Sequence, residues 1–510
     1  MIVELLTALA VGVGGVSTLL ALGVRSRLAL AAFTVPTGVA IMIAVGSAQA
    51  VATLQQWPVV TLVLTVLLPV ALLVLRRRGL QRVDAGWAAV VIAATLVLAA
   101  TFTIVDRINF HVDTFEYLTI GLLLQHGSLI EGVSFFQLEK RQLALAVVHS
   151  PAALIGNDFL VSITPLIAAG CVASLIAIAI AATHRLRLPR WAAVAAPVLA
   201  ATALLSINRV WWNVFYLNGH LLFAMALIVL AGLSWLVASS STMISSRAAT
   251  AVQLLMIGTM VVTRPEGSLV AGLALLPTLL DGRRALLERR ALLAGLGLSM
   301  LLWQTWLAGV TYTIAGEITR SMIGMIAGAI VALAVVPLLG RPWLDRFSGR
   351  WLLLVEAVLW LGLAVLAVRE RQVLVDSVKA TWENVVVGEG GWGPAFAASV
   401  LLAAIVVALT RSEHRVHLRF AVTTFVPLVY ILAYLRDAAY RVAEADSLNR
   451  MIMQVLPLAI AVLVATIGAS WRWAPKLAEA SSGNGSESAV DGGIPVGSAE
   501  PRGPRETLSS

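Results

Sequence analysis

Asp106, Arg107, His111, Asp113 and Glu116 crowd one short polar stretch that directly follows a long apolar run. Ionisable groups beside a membrane are costly to desolvate, so their clustering marks a functional site before anything else is known. Asp113-Thr-Phe-Glu116 has the form of a helix-capping box, with Asp113 as the cap and Glu116 reaching back to it. The helix that follows carries His126 in its last turn and meets Gly127, a residue suited to stopping it. Phe115, Leu118, Leu122 and Leu123 recur at helical spacing, predicting a helix that lies along the membrane surface. A carboxylate at a helix N-terminus is held in place and kept ionised by the dipole. Facing an aqueous pocket, it can take a proton from a hydroxyl. Capping alone would also account for these residues, and the two readings are compatible.

The elements that position this stretch follow from composition. Hydrophobic residues make up 59% of the 510 and charged residues only 12%, against roughly 25% charged in a soluble domain. The chain is therefore expected to be all-α and polytopic in a membrane. A hydrocarbon core of roughly 30 Å needs about 20 apolar residues per helix, and about fifteen candidate spans are legible, some short. They lie near 2–24, 28–50, 57–75, 86–105, 158–182, 191–207, 214–238, 249–263, 268–280, 291–313, 322–340, 351–368, 395–410, 419–435 and 451–470. The expected organisation is an N-terminal scaffold (1–105), a loop with the candidate site and a juxtamembrane helix (106–157), a transmembrane core (158–470) and a disordered tail (471–510).

Charge orients the spans. If they alternate, one set of loops collects most of the 36 Lys and Arg, among them Arg25, Arg76, Arg185, Arg283, Arg284, Arg289 and Arg415. That side is predicted to be cytoplasmic. The opposite loops carry most of the acids, including Asp106, Asp113, Glu116, Glu266, Glu370 and Asp446. The site loop and the N-terminus are then extracytoplasmic and the C-terminus cytoplasmic. The net charge of +9 is explained by loops that meet an anionic leaflet, so no nucleic-acid partner is expected. Cys171 is the single cysteine, which excludes disulfides and cysteine metal sites. The first segment lacks the basic n-region of a cleaved signal and reads as a retained span. Glu4 reads as a solvated helix end. Gly12, Gly14 and Gly15 lie within an apolar helix, where small residues allow close packing, and Gly324 and Gly328 take the same reading.

Three short motifs carry a resemblance. Asp113, Tyr117, Leu118, Ile120 and Gly121 form an Asp-x-x-x-Tyr-Leu-x-Ile-Gly run at the start of the juxtamembrane helix. Thr263-Arg-Pro-Glu-Gly267 ends an apolar segment and is followed by a short returning helix. Asp446-Ser-Leu-Asn-Arg450 leads into the last span. Together they resemble the glycosyltransferase family C superfamily, in its bacterial members, over most of residues 86–470. The resemblance implies a polyprenyl-phosphate-linked sugar as donor, a glycan or glycolipid acceptor, and Asp113 as base. It further implies that Arg264 and Arg450 hold the donor phosphate. No cofactor is required; Asp106 and Glu116 could join Asp113 around a divalent metal, but a metal site is not predicted.

Each of these residues also has a plainer reading. Arg264 and Glu266 could simply pair where Pro265 breaks the helix, and Arg450 could snorkel to the interface. Lys140 and Arg141 read as interfacial anchors, and His149 and His220 as packing residues. Asp106, His111, Glu116 and Tyr117 could support Asp113. Trp211, Trp212 and Tyr216 fit an interfacial aromatic belt. Loop 369–394 could cover an acceptor groove or be an ordered cap, and Glu356, alone in an apolar run, could hydrogen-bond internally or relay protons. The function expected is an inverting, extracytoplasmic sugar transfer. A transporter or lipid flippase, which would bury charges at mid-membrane, and a non-catalytic envelope scaffold are the alternatives.

Overall fold

The computed structural model describes residues 1–76, 82–185, 190–339, 342–394, 396–401, 416–435, 437–443 and 446–471. Among them the chain is helical, with no strand; one isolated bridge joins Asn109 and Tyr216. The helices are α1 (Ile2–Ala21), α2 (Arg27–Thr53), α3 (Pro58–Leu75), α4 (Arg82–Val105), α5 (Val112–His126), α6 (Leu129–Gly132) and α7 (Phe135–Arg141). They continue as α8 (Ala144–His149), α9 (Ile163–Arg185), α10 (Arg190–Leu205), α11 (Asn208–Val214), α12 (Gly219–Ala238), α13 (Ser246–Thr263) and α14 (Gly267–Leu280). The last are α15 (Leu286–Ala315), α16 (Arg320–Val335), α17 (Pro342–Arg369), α18 (Arg371–Trp382), α19 (Val416–Leu435) and α20 (Ser447–Trp471).

Local chemistry sets many starts. Ser26 accepts from the Ala29 amide to cap α2, Ser245 from Ala248 to cap α13, and Thr319 from Met322 to cap α16. Pro58 stands at the first turn of α3, where its missing N–H costs nothing.

Twelve described helices are long and apolar enough to cross a membrane, so this is a multi-pass membrane protein. The difference from fifteen has local causes. The apolar run near 191–214 is broken between α10 and α11 by a 77° bend. Helix α14 has 14 residues, about 21 Å at 1.5 Å per residue, shorter than the roughly 20 residues expected of a full span. The span expected at 395–410 and the tail after Trp471 lie mostly or wholly outside the described residues.

Helix α12 forms the centre, buried from Gly219 to Leu236 against α9, α13, α14, α19 and α20. Helices α1 to α4 pack as a group beside α9. The glycines of α1 explain that closeness: a Cβ on Gly15 would run into the Thr34 carbonyl, and one on Gly38 of α2 into the Val11 carbonyl. Gly324 and Gly328 do no such work. A Cβ on Gly324 would meet nothing within 4 Å, and one on Gly328 only Met300 Cε at 3.9 Å.

Two acids that stand alone in the sequence have partners in the fold. Glu4 is buried rather than solvated, accepting from the Val161 amide at 2.8 Å, the Ser162 amide at 3.2 Å and the Ser162 hydroxyl at 2.5 Å. It ties the start of α1 to the approach to α9. Glu356 pairs with Arg419 at 3.2 Å and accepts from Thr423 at 2.5 Å, an internal bond between α17 and α19.

The loops predicted to share one side of the membrane do meet at one end of the bundle. Gln56 Nε2 donates to Ser150 Oγ at 2.7 Å, the Asn109 amide to the Phe215 carbonyl at 2.8 Å, and Ser321 to Glu139 at 3.2 Å.

Candidate functional site

Helix α5 starts one residue before Asp113, and His111 is its cap. Its Nδ1 accepts from the Asp113 amide at 3.5 Å, while Thr114 Oγ1 accepts from the His111 amide at 3.3 Å. Asp113 and Glu116 are therefore not the capping pair that the sequence suggested; both side chains are released for other partners. The N-terminal approach to α5 is stitched to the α11–α12 connection, where Asn109 Nδ2 donates to the Trp212 carbonyl at 2.9 Å and Thr114 Oγ1 to that of Leu217 at 3.4 Å. The buried face of α5 carries Asp113, Tyr117, Ile120 and Leu124, while Phe115 is exposed and stacks on Phe110. The helix packs against α8, so its inner face is defined by protein and not by the apolar stripe alone.

Asp113 ends in a ring of donors. Arg141 Nη2, from the last turn of α7, donates to Oδ1 at 2.5 Å. Arg450 Nη1, from the first turn of α20, pairs with Oδ2. The Tyr216 hydroxyl donates to the same oxygen at 3.5 Å. Arg141 also pairs through Nε with Glu116, so charges alternate along Arg450, Asp113, Arg141 and Glu116. Burial, followed by Arg450 and Arg141, lowers the pKa of His111. Burial pushes Tyr216 up to about 12, so its hydroxyl stays a donor.

A second layer joins the other two motifs. Arg264 has extended backbone between α13 and α14, and its buried Nε donates to Glu266 at 3.2 Å. The same Glu266 oxygen accepts from Gln454 Nε2 at 3.2 Å, and Gln454 lies 2.9 Å from His220 Nδ1. Gln454 is one turn beyond Arg450 on α20, so the Arg-Pro-Glu-Gly step and the Asn-Arg step share one buried network. Burial opposes the Arg264 charge, but Glu266 and then Tyr117 outweigh it and raise the guanidinium above its usual value. Gly267 closes the motif because a Cβ there would strike the Met260 carbonyl.

The Asn-Arg step is braced from outside. Asp446 accepts from the Leu448 amide at 2.7 Å and so caps α20. Asn449 accepts from Trp392 Nε1 at 2.9 Å and donates to the Ala443 carbonyl at 2.8 Å. Loop 369–394 thus packs on the approach to α20, with Asn384 also bonded to Arg441 and Ala443.

The predicted residues are therefore sorted by position. His111, Asp113, Glu116, Arg141 and Arg450 are in direct contact, and Tyr117, Arg264, Glu266 and His220 lie in the adjoining layer. Asp106 is exposed at the end of α4. Lys140 stacks over the Phe136 ring at 3.6 Å. His149 is a packing residue: its Nδ1 accepts from the Leu160 amide at 3.1 Å, and burial lowers its pKa to about 3. Arg141 is more than an anchor.

Three contributors were missed or misread. Tyr216 is not part of a membrane belt but wholly buried against Asp113, whereas Trp211 is exposed. Gln454 carried no signal in an apolar run. Arg209, buried with its guanidinium 4.7 Å from the Trp212 ring centre, could have been noticed as a charge within the broken apolar segment. Among the described residues, no three His, Cys, Asp or Glu side chains gather as metal ligands would. No family model, curated protein or solved structure matches the chain.

Proposed function

We propose that this protein is an integral membrane glycosyltransferase that moves a sugar from a polyprenyl-phosphate donor to a glycan or glycolipid hydroxyl on the extracytoplasmic side. The observation that carries the reading is the Asp113 carboxylate held at one end of the bundle between Arg141 and Arg450, with Arg264 in the adjoining layer. A base beside cations placed for a phosphate is what such a transfer needs. The motif resemblance supports the donor class, and the distribution of Arg-rich loops supports the side.

On this reading the acceptor hydroxyl gives its proton to Asp113 as its oxygen attacks the anomeric carbon. The bond from that carbon to the phosphate oxygen breaks, and the polyprenyl phosphate leaves with the electron pair. One displacement inverts the anomeric carbon. Arg450 and Arg264 stabilise the negative charge of the leaving phosphate, an electrostatic contribution that ranks among the largest in catalysis. Arg450 pairs with Asp113 Oδ2. A donor phosphate competes for that guanidinium, and its binding leaves the oxygen open to the acceptor. Donor binding thereby precedes proton transfer. Tyr216 and Arg141 keep the carboxylate aimed during the exchange.

The test compares wild type and Asp113→Asn, matched for folded protein in membranes, for transfer from radiolabelled polyprenyl-phosphate sugars to envelope acceptors. The near-isosteric amide is expected to lower transfer by about 10²- to 10⁴-fold, the usual contribution of a general base. Equal transfer by the two proteins removes Asp113 from the mechanism. No transfer by wild type from any such donor overturns the reading.

A further inference from the structure

A polar cavity of about 350 Å³ lies at the opposite end of the bundle, among the far ends of α12, α13, α14, α15 and α19. Helix α12 alone separates it from the Asp113 end by about 30 Å. Ser246, Asp281, Arg283, Arg284, Glu288 and His417 are among its walls. None of them belongs to the site described above.

Arg284 is the unusual member. Its side chain is 3% exposed. Nη2 donates to Thr250 at 2.6 Å and to Gln253 Oε1 at 2.7 Å, and Nε to Glu288 at 3.3 Å. Gln253 is itself fixed, donating to Ser234 at 2.7 Å and to the Leu230 carbonyl at 2.9 Å. The guanidinium is thus held by a prepared frame, yet Nη1 is buried with no partner. Burying an unpaired charged donor is costly, which makes its vacancy informative.

The two carboxylates of the cavity are already engaged. Glu288 accepts from Ser246 and Arg284. Asp281 accepts from the Arg283 amide at 3.0 Å and stands 3.4 Å from His417 Nε2, whose ring also contacts Thr278. Burial alone would raise Asp281, but the His417 hydrogen bond and the Arg283 amide outweigh it and hold the carboxyl below its usual value. Among the described lining residues no buried side-chain acceptor lacks a donor. The unmet demand is for an acceptor. Helix α15 adds to it: its cap position is Ala285, on the cavity wall, which gives the first-turn amides no side-chain oxygen.

We propose that this cavity binds a phosphate group, with a phosphate oxygen accepting from Arg284 Nη1 and the open N-terminus of α15 facing the same anion. The phosphate comes either from an anionic lipid headgroup or from free phosphate; the cavity is lined by the ends of candidate spans, where either source is within reach.

The test uses full-length protein in detergent and follows thermal unfolding against phosphatidic acid, diacylglycerol and inorganic phosphate. Saturable stabilisation by phosphatidic acid or by inorganic phosphate, with none from diacylglycerol, is expected. A response to phosphatidic acid alone assigns a lipid, and a response to inorganic phosphate assigns the free anion. Arg284→Gln should weaken the response about tenfold or more, the scale of a lost charge-assisted contact. Ala285→Asp guards against simple misfolding: it supplies the missing cap, so the apo protein should melt no lower while the anion is repelled. Arg450→Gln should leave the response in place, separating this cavity from the Asp113 end. An unchanged response in Arg284→Gln or Ala285→Asp overturns the proposal, as does the absence of any saturable response in wild type.

Discussion

The Asp113 carboxylate sits between two arginines, and its backbone amide is bonded to the His111 ring. The His111 ring caps α5 by accepting from the Asp113 amide through Nδ1, which only a neutral imidazole can do. Its pKa is lowered by burial first and by Arg450, Arg141 and Arg209 after that. The sign follows: above the ordinary imidazole value of about 6.5 the ring is neutral whether the chain is folded or not. As pH falls through that value the unfolded chain takes up a proton that the folded one resists, so stability declines. Transfer by the folded protein should therefore hold through the ordinary imidazole range and fall only at a pH below it, where the folded ring takes up its proton. Asn at this position caps a helix without titrating. His111→Asn should keep activity at neutral pH and flatten the acid limb; a profile that still falls in parallel with wild type would detach His111 from it.

At the scale of elements, what was legible in the sequence divides by whether the signal was local. The long helices followed from apolar run length, since a span must satisfy its own backbone wherever it packs. The stop at Gly127 and the close packing of α1 through its glycines were legible because those signals are local too. The α5 cap was not, because His111, Asp113 and Thr114 all offer side chains within three positions and the arginines that decide the outcome lie 28 and 337 residues away in the chain. Asp113, Arg264 and Arg450 could be picked out as charges at span ends; Tyr216 and Gln454 could not, since an aromatic or an amide beside a span has many ordinary uses. Glu4 shows the same limit. An acid in the first turn of a helix looks solvated until Val161 and Ser162 are placed against it. Glu4→Ala would leave two backbone donors there without their acceptor, at about 1–3 kcal/mol each. The purified protein should then melt several degrees lower, with Glu4→Gln falling between, because it keeps one acceptor oxygen. An unchanged melting temperature for Glu4→Ala would mean that the joint between α1 and α9 contributes nothing.

For the whole molecule the proposal to test is direction. The contacts among Gln56, Asn109, Ser150, Phe215, Glu139 and Ser321 gather the site loops at one end, and the alternation of spans sends Arg283 and Arg284 to the other. The proposed orientation puts the Arg-rich end in the cytoplasm, because basic loops resist translocation. The sequence itself makes this testable with little background. Cys171 is the only cysteine and is 1% exposed, so a new surface cysteine reports alone. Glu317 is exposed at the Asp113 end, and Thr242 is exposed at the cavity end. In intact cells a membrane-impermeant maleimide should label Glu317→Cys and leave Thr242→Cys unlabelled until the membrane is permeabilised. The opposite pattern would put Asp113 in the cytoplasm, away from an extracytoplasmic acceptor. It would also move the Arg284 cavity to the outer leaflet, so the same two cysteines decide the surroundings of both ends.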